Sequence, residues 1–424
     1  MTISTADTGA RVTVAGISAG IAPVLERLAA TAGEREGTRD YPFEEVRALA
    51  EERITLIGVA VEDGGAGGTL RDVVDLVIAI ARADSNVAQA LRSSFLTAAG
   101  VIARHDLPYR DRTLERLRNG DLFAGTSNER GGAAGAVATR LLRKGDGEVL
   151  SGAKYYSTGG LFAQWFSGTA TDEDGKVVRF TVPTDREGVE RLDDFDAIGQ
   201  RLTASGTTRL NDVRVYPDEL IRADEAPPRN PWQGSFAQLY LASIEAGIAG
   251  AALDDAVRFT REKARPIKHS TADRAVDDPY VRHVVGEIAA RANAARAVVL
   301  LAAEELGAVP SATDNKTHVV AAAAASGDPV RDADAASGDA VRYAGARAAL
   351  TVAQAQYVAV ESALRAAELA FDVGGGSATD RSTALDRHWR NARTVANHNP
   401  RNWKAAAVGA FHLTGAEPPT SGLF

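Results

Sequence analysis

The chain has 424 residues, 45% apolar and 25% charged, the balance of a soluble globular protein with room for a large core and two or three structural units. Its net charge of −8, with arginines scattered among acids, argues against a nucleic-acid binder. It has no cysteine, which excludes disulfides, thiolate catalysis and cysteine-ligated metals.

The opening MTISTADTGARVTVAG lacks the basic flank and apolar core of a secretory signal. No run of eighteen consecutive apolar residues suggests a membrane span, so a cytoplasmic protein without membrane contact is the expectation. From about 12 to 121 Val, Ile and Leu recur at three- and four-residue steps, which predicts helices, interrupted by a loop at EDGGAGG (62–68). From 122 to 222 short β-branched and aromatic runs alternate with Asp-Gly turns such as GDGE and DEDGK, which predicts an antiparallel, barrel-like β unit. From 223 onward, long alanine-rich helical stretches predict a four-helix-like bundle followed by a tail, with a compositionally biased stretch from 311 to 339. The fold class is therefore mostly α with a β middle domain, divided as 1–121, 122–222 and 223–424.

No Walker loop, GxSxG, HExxH or strand-borne GxGxxG is present. His388 and His398 stand ten residues apart without a carboxylate cluster, so no metal site is expected. Three stretches combine polar groups with aromatic ones. FAGTSNERGGAAG (123–135) offers Thr126, Ser127 and Asn128, suited to a heteroaromatic ring or a phosphate, and equally an ordinary polar connection. SGAKYYSTGG (151–160) sets Tyr155 and Tyr156 beside Ser157 and Thr158, which suits stacking plus one hydrogen bond to a flat cofactor and is equally normal for a strand. In LDRHWRNARTVANHNP (385–400), helical spacing brings Arg387, Arg390, Asn391, Thr394 and His398 toward one face. Trp389 is expected to anchor that helix in the core and Pro400 to end it soon after His398. A histidine there is either a ligand-facing group or an ordinary partner of the helix dipole.

Taken in order, VAVEDGGAGGTLRDVVDLVIAIARADSN, FDAIGQRLTASGTTRLNDVRVYPDELI and LAFDVGGG resemble the acyl-CoA dehydrogenase superfamily along the whole chain. TREKARP (260–266), DRHWRNARTVANHNPRNWKAAAVG (386–409) and HLTGAEPP (412–419) resemble its reduced-flavin monooxygenase branch, typified by dibenzothiophene monooxygenase. That resemblance implies an acyl-CoA dehydrogenase-like fold, a homotetramer, reduced FMN or FADH2 delivered by a separate NAD(P)H-dependent flavin reductase, and dioxygen as co-substrate. A C4a-hydroperoxyflavin would then oxygenate sulfur, nitrogen or an electron-rich aromatic carbon of a small dibenzothiophene-, indole- or amino-sugar-like molecule.

Residue by residue, the resemblance implies Ser127 and Asn128 at the flavin pyrimidine edge, Tyr156 beside the ring and Thr158 near N5. It implies Arg265 as a phosphate ligand presented to a neighbouring subunit, Arg390 and Asn391 lining or bracing the flavin site, and His398 holding the distal oxygen. Phe95 stands where the resembled enzymes have a histidine and is read as a substrate wall. Asn399 matches the position of the glutamate base of acyl-CoA dehydrogenases, and Tyr240 matches the alternative position of that base on an earlier helix. Neither an amide nor a tyrosine serves as a base at neutral pH, which disfavours dehydrogenation. Phe371 or Asp372 replaces the glutamine that grips the adenylate half of FAD, which leans toward FMN. An acyl-CoA dehydrogenase or oxidase and a non-catalytic helical scaffold are the competing readings; His388 has no assigned role.

Overall fold

The computed structural model describes residues 11–103, 107–131, 137–225, 231–266, 268–309, 335–419 and 424. The GGAAG loop beyond Gly131 and the biased segment up to residue 334 lie outside the described residues.

The first region is helical: α1 (Val14–Thr38), α2 (Phe43–Glu51), α3 (Leu70–Ala83), α4 (Ser85–Ala90), α5 (Arg92–Ala103) and α6 (Arg110–Arg118). A capping box starts α3, where the Thr69 hydroxyl accepts from Asp72 N at 3.2 Å and the Asp72 carboxylate accepts from Thr69 N at 2.7 Å. Val73, Val74, Val77, Ile80 and Ala81 form its buried face. Asp84 closes α3 and opens α4, accepting from Asn86 N at 2.9 Å and pairing with the buried Arg35 of α1 at 2.7 Å. One carboxylate thus sets the angle between three helices.

The middle region is one curled sheet of β1 (Phe123–Thr126), β2 (Arg140–Lys144), β3 (Gly147–Lys154), β4 (Trp165–Thr171), β5 (Val177–Pro183), β6 (Val189–Arg191), β7 (Thr208–Val215) and β8 (Leu220–Ile221). Its strand order is β6-β7-β3-β2-β4-β5-β8. Gly145 and Asp146 form a two-residue hairpin loop between the paired Lys144 and Gly147, with Gly145 at φ 64°. The sheet is not wholly antiparallel. β1 joins β4 in parallel from Phe123 opposite Trp165 onward, because β1 arrives from the helical region and leaves for the site loop, with no hairpin to β4.

The last region contains α7 (Pro231–Glu262), α8 (Pro279–Gly307), α9 (Ala335–Leu369), α10 (Asp386–Val395) and α11 (Arg401–Thr414). Its small residues let backbones approach closely. A Cβ on Gly247 of α7 would lie 2.4 Å from that of Ala81 on α3, so these helices cross in direct contact. Two helices, α1 and residues 234–262 of α7, are long and apolar enough to match a membrane span; the α7 stretch is mostly buried between its neighbours, as a core helix is.

Candidate active site

The Ser127–Asn128 loop is held by a residue the sequence reading passed over. Glu129 accepts from Ala138 N at 2.7 Å, Thr139 N at 3.0 Å, the Thr139 hydroxyl at 2.8 Å and the buried Lys154 ammonium at 2.5 Å. Burial works against the Glu129 charge, but the Lys154 ammonium and the Thr139 and Ala138 donors hold its carboxyl down at about 2. Asn128 O then accepts from Tyr155 N at 2.9 Å, which ties this loop to the Tyr155–Thr158 segment. Ser127 and Asn128 are exposed beyond β1. Tyr155 is buried under the Arg130 guanidinium, 3.4 Å above its ring, whereas Tyr156 is 52% exposed and held at φ 61°. A left-handed tyrosine is uncommon, and here it turns the ring outward beside Thr158.

A chain of hydroxyls ends at Thr158. Thr203 donates to Gln200 O at 2.8 Å, Thr203 and Ser205 hydroxyls lie 2.7 Å apart, and those of Ser205 and Thr158 lie 2.8 Å apart. A carbonyl cannot donate, so the single Thr203 proton is spent on Gln200. Ser205 must therefore donate to Thr203, and Thr158 to Ser205. Thr158 is left with lone pairs only: it presents an acceptor.

The linker carrying these hydroxyls is clamped to the helices. Asn391 of α10 accepts from Gln200 N at 2.6 Å, Gln200 donates to the Ser85 hydroxyl at 3.0 Å, and Asn86 accepts from Leu202 N at 3.1 Å. Gln200 and Ala204 both adopt left-handed backbone, at φ 56° and 50°. Arg390 pairs with the buried Glu36 at 2.8 Å and with Asp386 at 2.8 Å, and donates to Ile198 O at 3.0 Å. Arg390 and Asn391 thus brace the linker from α10. A Cβ on Gly199 would fall 2.1 Å from Arg390 O, so Gly199→Ala must push linker and helix apart. The expected loss is about 1–3 kcal/mol, the usual range for overpacking, read as a lower denaturation midpoint.

The stretch 385–400 departs from its reading in two ways. Trp389 is 41% exposed rather than a core anchor; the inward face of α10 carries Leu385, His388, Ala392 and Val395. The helix phase turns Trp389 outward because its neighbour His388 takes the inward place. His388 donates to Asp255 of α7 at 2.8 Å, and Asp255 also takes Arg387 at 2.6 Å and Arg258 at 2.5 Å. Burial and the neighbouring Arg387 depress the His388 pKa, so the ring is neutral and acts as a staple between α7 and α10. Second, the helix stops at Val395, before His398 and not after it; a helix continued through Pro400 would set the proline ring against the Ala396 carbonyl. His398 and Asn399 occupy the turn that leads into α11.

His398 Nε2 lies 3.2 Å from the amide nitrogen of Gln89 on α4. The residue as a whole is exposed, although protein surrounds its ring. Burial of the ring, and then the Arg92 cation, push its pKa down to about 4. Asn399 donates to Gln238 of α7 at 3.0 Å. Phe95 and Tyr240 are fully buried with ring centroids 5.6 Å apart, and the Tyr240 hydroxyl donates to Ala88 O at 2.7 Å. Burial raises the Tyr240 pKa, which removes it as a base. Arg265 follows α7, exposed and with no ion pair among the described residues. Gln89, Arg92, Glu129 and Ser205 were missed. For Arg92 a signal existed, a charge between Leu91 and Phe95 in an otherwise apolar helical stretch.

Two open spaces among the described residues lie away from these residues as a group. A cleft of about 440 Å³ lies by Phe43, Arg47, Gly120 and Phe162, and a cavity of about 20 Å³, room for one water, lies by Glu36, Asp84, His388 and Asn391. No cluster of three metal-ligating side chains occurs among the described residues.

The chain is also similar to known proteins. The family described as acyl-CoA dehydrogenase, C-terminal domain, matches residues 239–356 and 316–403. The chain is 29% identical to a probable FMNH2-dependent monooxygenase, SfnC, of Pseudomonas putida, over 93% of this chain and 94% of that protein. It is 27% identical to dibenzothiophene monooxygenase of Mycolicibacterium goodii, over 92% and 91% of the two. The structure of methanesulfinate monooxygenase MsuC from Pseudomonas fluorescens superposes with a TM-score of 0.81, covering 96% of this chain and 99% of that one at 24% identity. The fold is thus shared from end to end.

Proposed function

We propose that this chain, which belongs to the acyl-CoA dehydrogenase superfamily and to its flavin monooxygenase branch, uses reduced FMN and dioxygen to insert one oxygen atom into a small organic substrate, the second oxygen leaving as water. When bound, reduced flavin would supply the two electrons that activate dioxygen. The observation that carries the reading is the one-way hydroxyl chain. An acceptor at Thr158 suits the N5–H of reduced flavin and does not suit oxidised flavin, whose N5 is itself an acceptor. Ser127 and Asn128 supply exposed polar groups for the pyrimidine edge, Tyr156 an open ring face, and Arg265 an exposed guanidinium for the phosphate. Arg390 and Asn391 hold the linker that aims Thr158.

His398 is neutral across the physiological range, with Nε2 turned to Gln89, which leaves the proton on Nδ1 as a donor. That donor, with an apolar wall of Phe95 and Tyr240 behind it, holds the reactive oxygen and limits water access. At the two positions the resemblance offers for a dehydrogenase base no carboxylate stands: Asn399 is an amide engaged with Gln238, and Tyr240 is spent on Ala88 O. The reading includes a separate NAD(P)H-dependent flavin reductase, a homotetramer that presents Arg265 across an interface, and a cytoplasmic location.

Anaerobic titration with reduced and with oxidised FMN tests it. Wild type is expected to bind the reduced form at least tenfold more tightly. Ser205→Ala frees the Thr158 proton and is expected to narrow that ratio by about fivefold, the worth of one hydrogen bond. An unchanged ratio removes Thr158 from N5.

A further inference from the structure

Arg92 opens α5, and the protein gives its guanidinium almost nothing to hold. One nitrogen, Nη2, donates to Ala237 O at 3.3 Å, and Nε is buried without a partner. Other buried or half-buried arginines nearby are paired with carboxylates: Arg35 with Asp84, Arg387 with Asp255, Arg390 with Glu36. Arg92 has no ion pair among the described residues. Its ionisable neighbours are Tyr240 and His398, both neutral. Burying a cation without an anion is strongly unfavourable, and a fold that bears the cost at one position commonly does so for a ligand.

A second buried polar group beside it is also incompletely satisfied. Gln89 lies one helical turn before Arg92; its buried carbonyl oxygen has no partner and its amide meets His398. Phe95, one turn after Arg92, packs at a tilt against Tyr240 and supplies an apolar wall. Three elements thus converge (the α4–α5 junction, α7 and the turn before α11) around the Arg92 cation, and among the described residues no carboxylate pairs with it.

We infer that Arg92, with His398 beside it, binds the anionic head of the substrate, and that the substrate is a small organic oxyanion such as a sulfinate or carboxylate and not a neutral aromatic. The word substrate rests on the monooxygenase reading; the anion site does not. Within the relatives, this places the chain's chemistry nearer the enzyme named for methanesulfinate than the one named for dibenzothiophene.

Calorimetric titration of the flavin-free protein with methanesulfinate, acetate and neutral dimethyl sulfone tests the assignment. Both anions are expected to bind saturably and the sulfone not; tighter binding of one anion separates sulfinate from carboxylate as the natural head. Arg92→Met is expected to weaken anion binding about 10- to 100-fold, the worth of charge-assisted hydrogen bonds, and Arg92→Lys to restore part of it. A melting temperature for Arg92→Lys close to wild type guards against misfolding. Equal anion affinity in all three proteins, preference for the sulfone, or loss of reduced-FMN binding with anion binding intact in Arg92→Met would each overturn the inference. Wild type that binds anions but never reduced FMN would sink the monooxygenase reading and leave the anion site standing; the reverse pattern would do the opposite.

Discussion

Asp255→Ala is expected to lower stability by about 3–5 kcal/mol, the cost of removing one partner from a buried ion pair. Asp255 is 5% exposed and receives three donors, two of them from α10: His388 at 2.8 Å and Arg387 at 2.6 Å. Burial opposes its charge, but the bond from His388 and the field of Arg387 hold the carboxyl well below its ordinary range. Removing the carboxylate strands Arg387, whose remaining bond is to Ala384 O at 2.9 Å, in a setting too dry to hydrate it. Asp255→Asn keeps an acceptor for one donor and should lose less. Urea midpoints for the two variants check the order. Hydrogen exchange over 386–399 checks the mechanism, since α10 should loosen from α7 before the sheet does. If the two variants unfold like wild type, the staple is not a source of stability.

That staple also shows where a sequence stops being readable. The helical and β regions were legible because their apolar periods differ, and the Gly145–Asp146 hairpin because a two-residue turn demands residues that tolerate positive φ. The parallel pairing of β1 with β4 was not, since nothing in FAGT encodes which strand it meets. In 385–400 the polar residues were legible as special, but their division of labour was not. Trp389 and His388 are adjacent, and which faces inward depends on Asp255, 133 residues away. Likewise Thr158 is legible as a hydroxyl beside an aromatic, whereas its donor direction is fixed by Gln200, Thr203 and Ser205 on a separate linker. Chemistry set by residue type reads locally; chemistry set by a partner's direction requires the fold.

His398→Ala is expected to uncouple the reaction. Reduced FMN should still be oxidised, but product per flavin consumed should fall about tenfold or more, with hydrogen peroxide making up the difference, in the range that a lost proton donor or hydrogen bond costs. Peroxide and product assayed on the same reaction check it; unchanged coupling would remove His398 from the oxygen site. The pH dependence supplies a second readout with a definite sign. With a folded-state pKa near 4 against an ordinary 6.5, the unfolded chain takes up a proton at His398 before the folded one does. The neutral ring's contribution to stability is therefore intact above about 6.5 and is lost as pH falls through the window toward 4. Catalysis should follow the folded-state value, with an acid limb near 4 in place of 6.5. After burial, the Arg92 cation is the other force on this ring, and Gln89 is uncharged. Arg92→Met should thus move the His398 titration upward toward 6.5, as followed by the imidazole resonance. A titration that stays put in Arg92→Met would show that burial alone sets the value and that the two residues do not share one cleft.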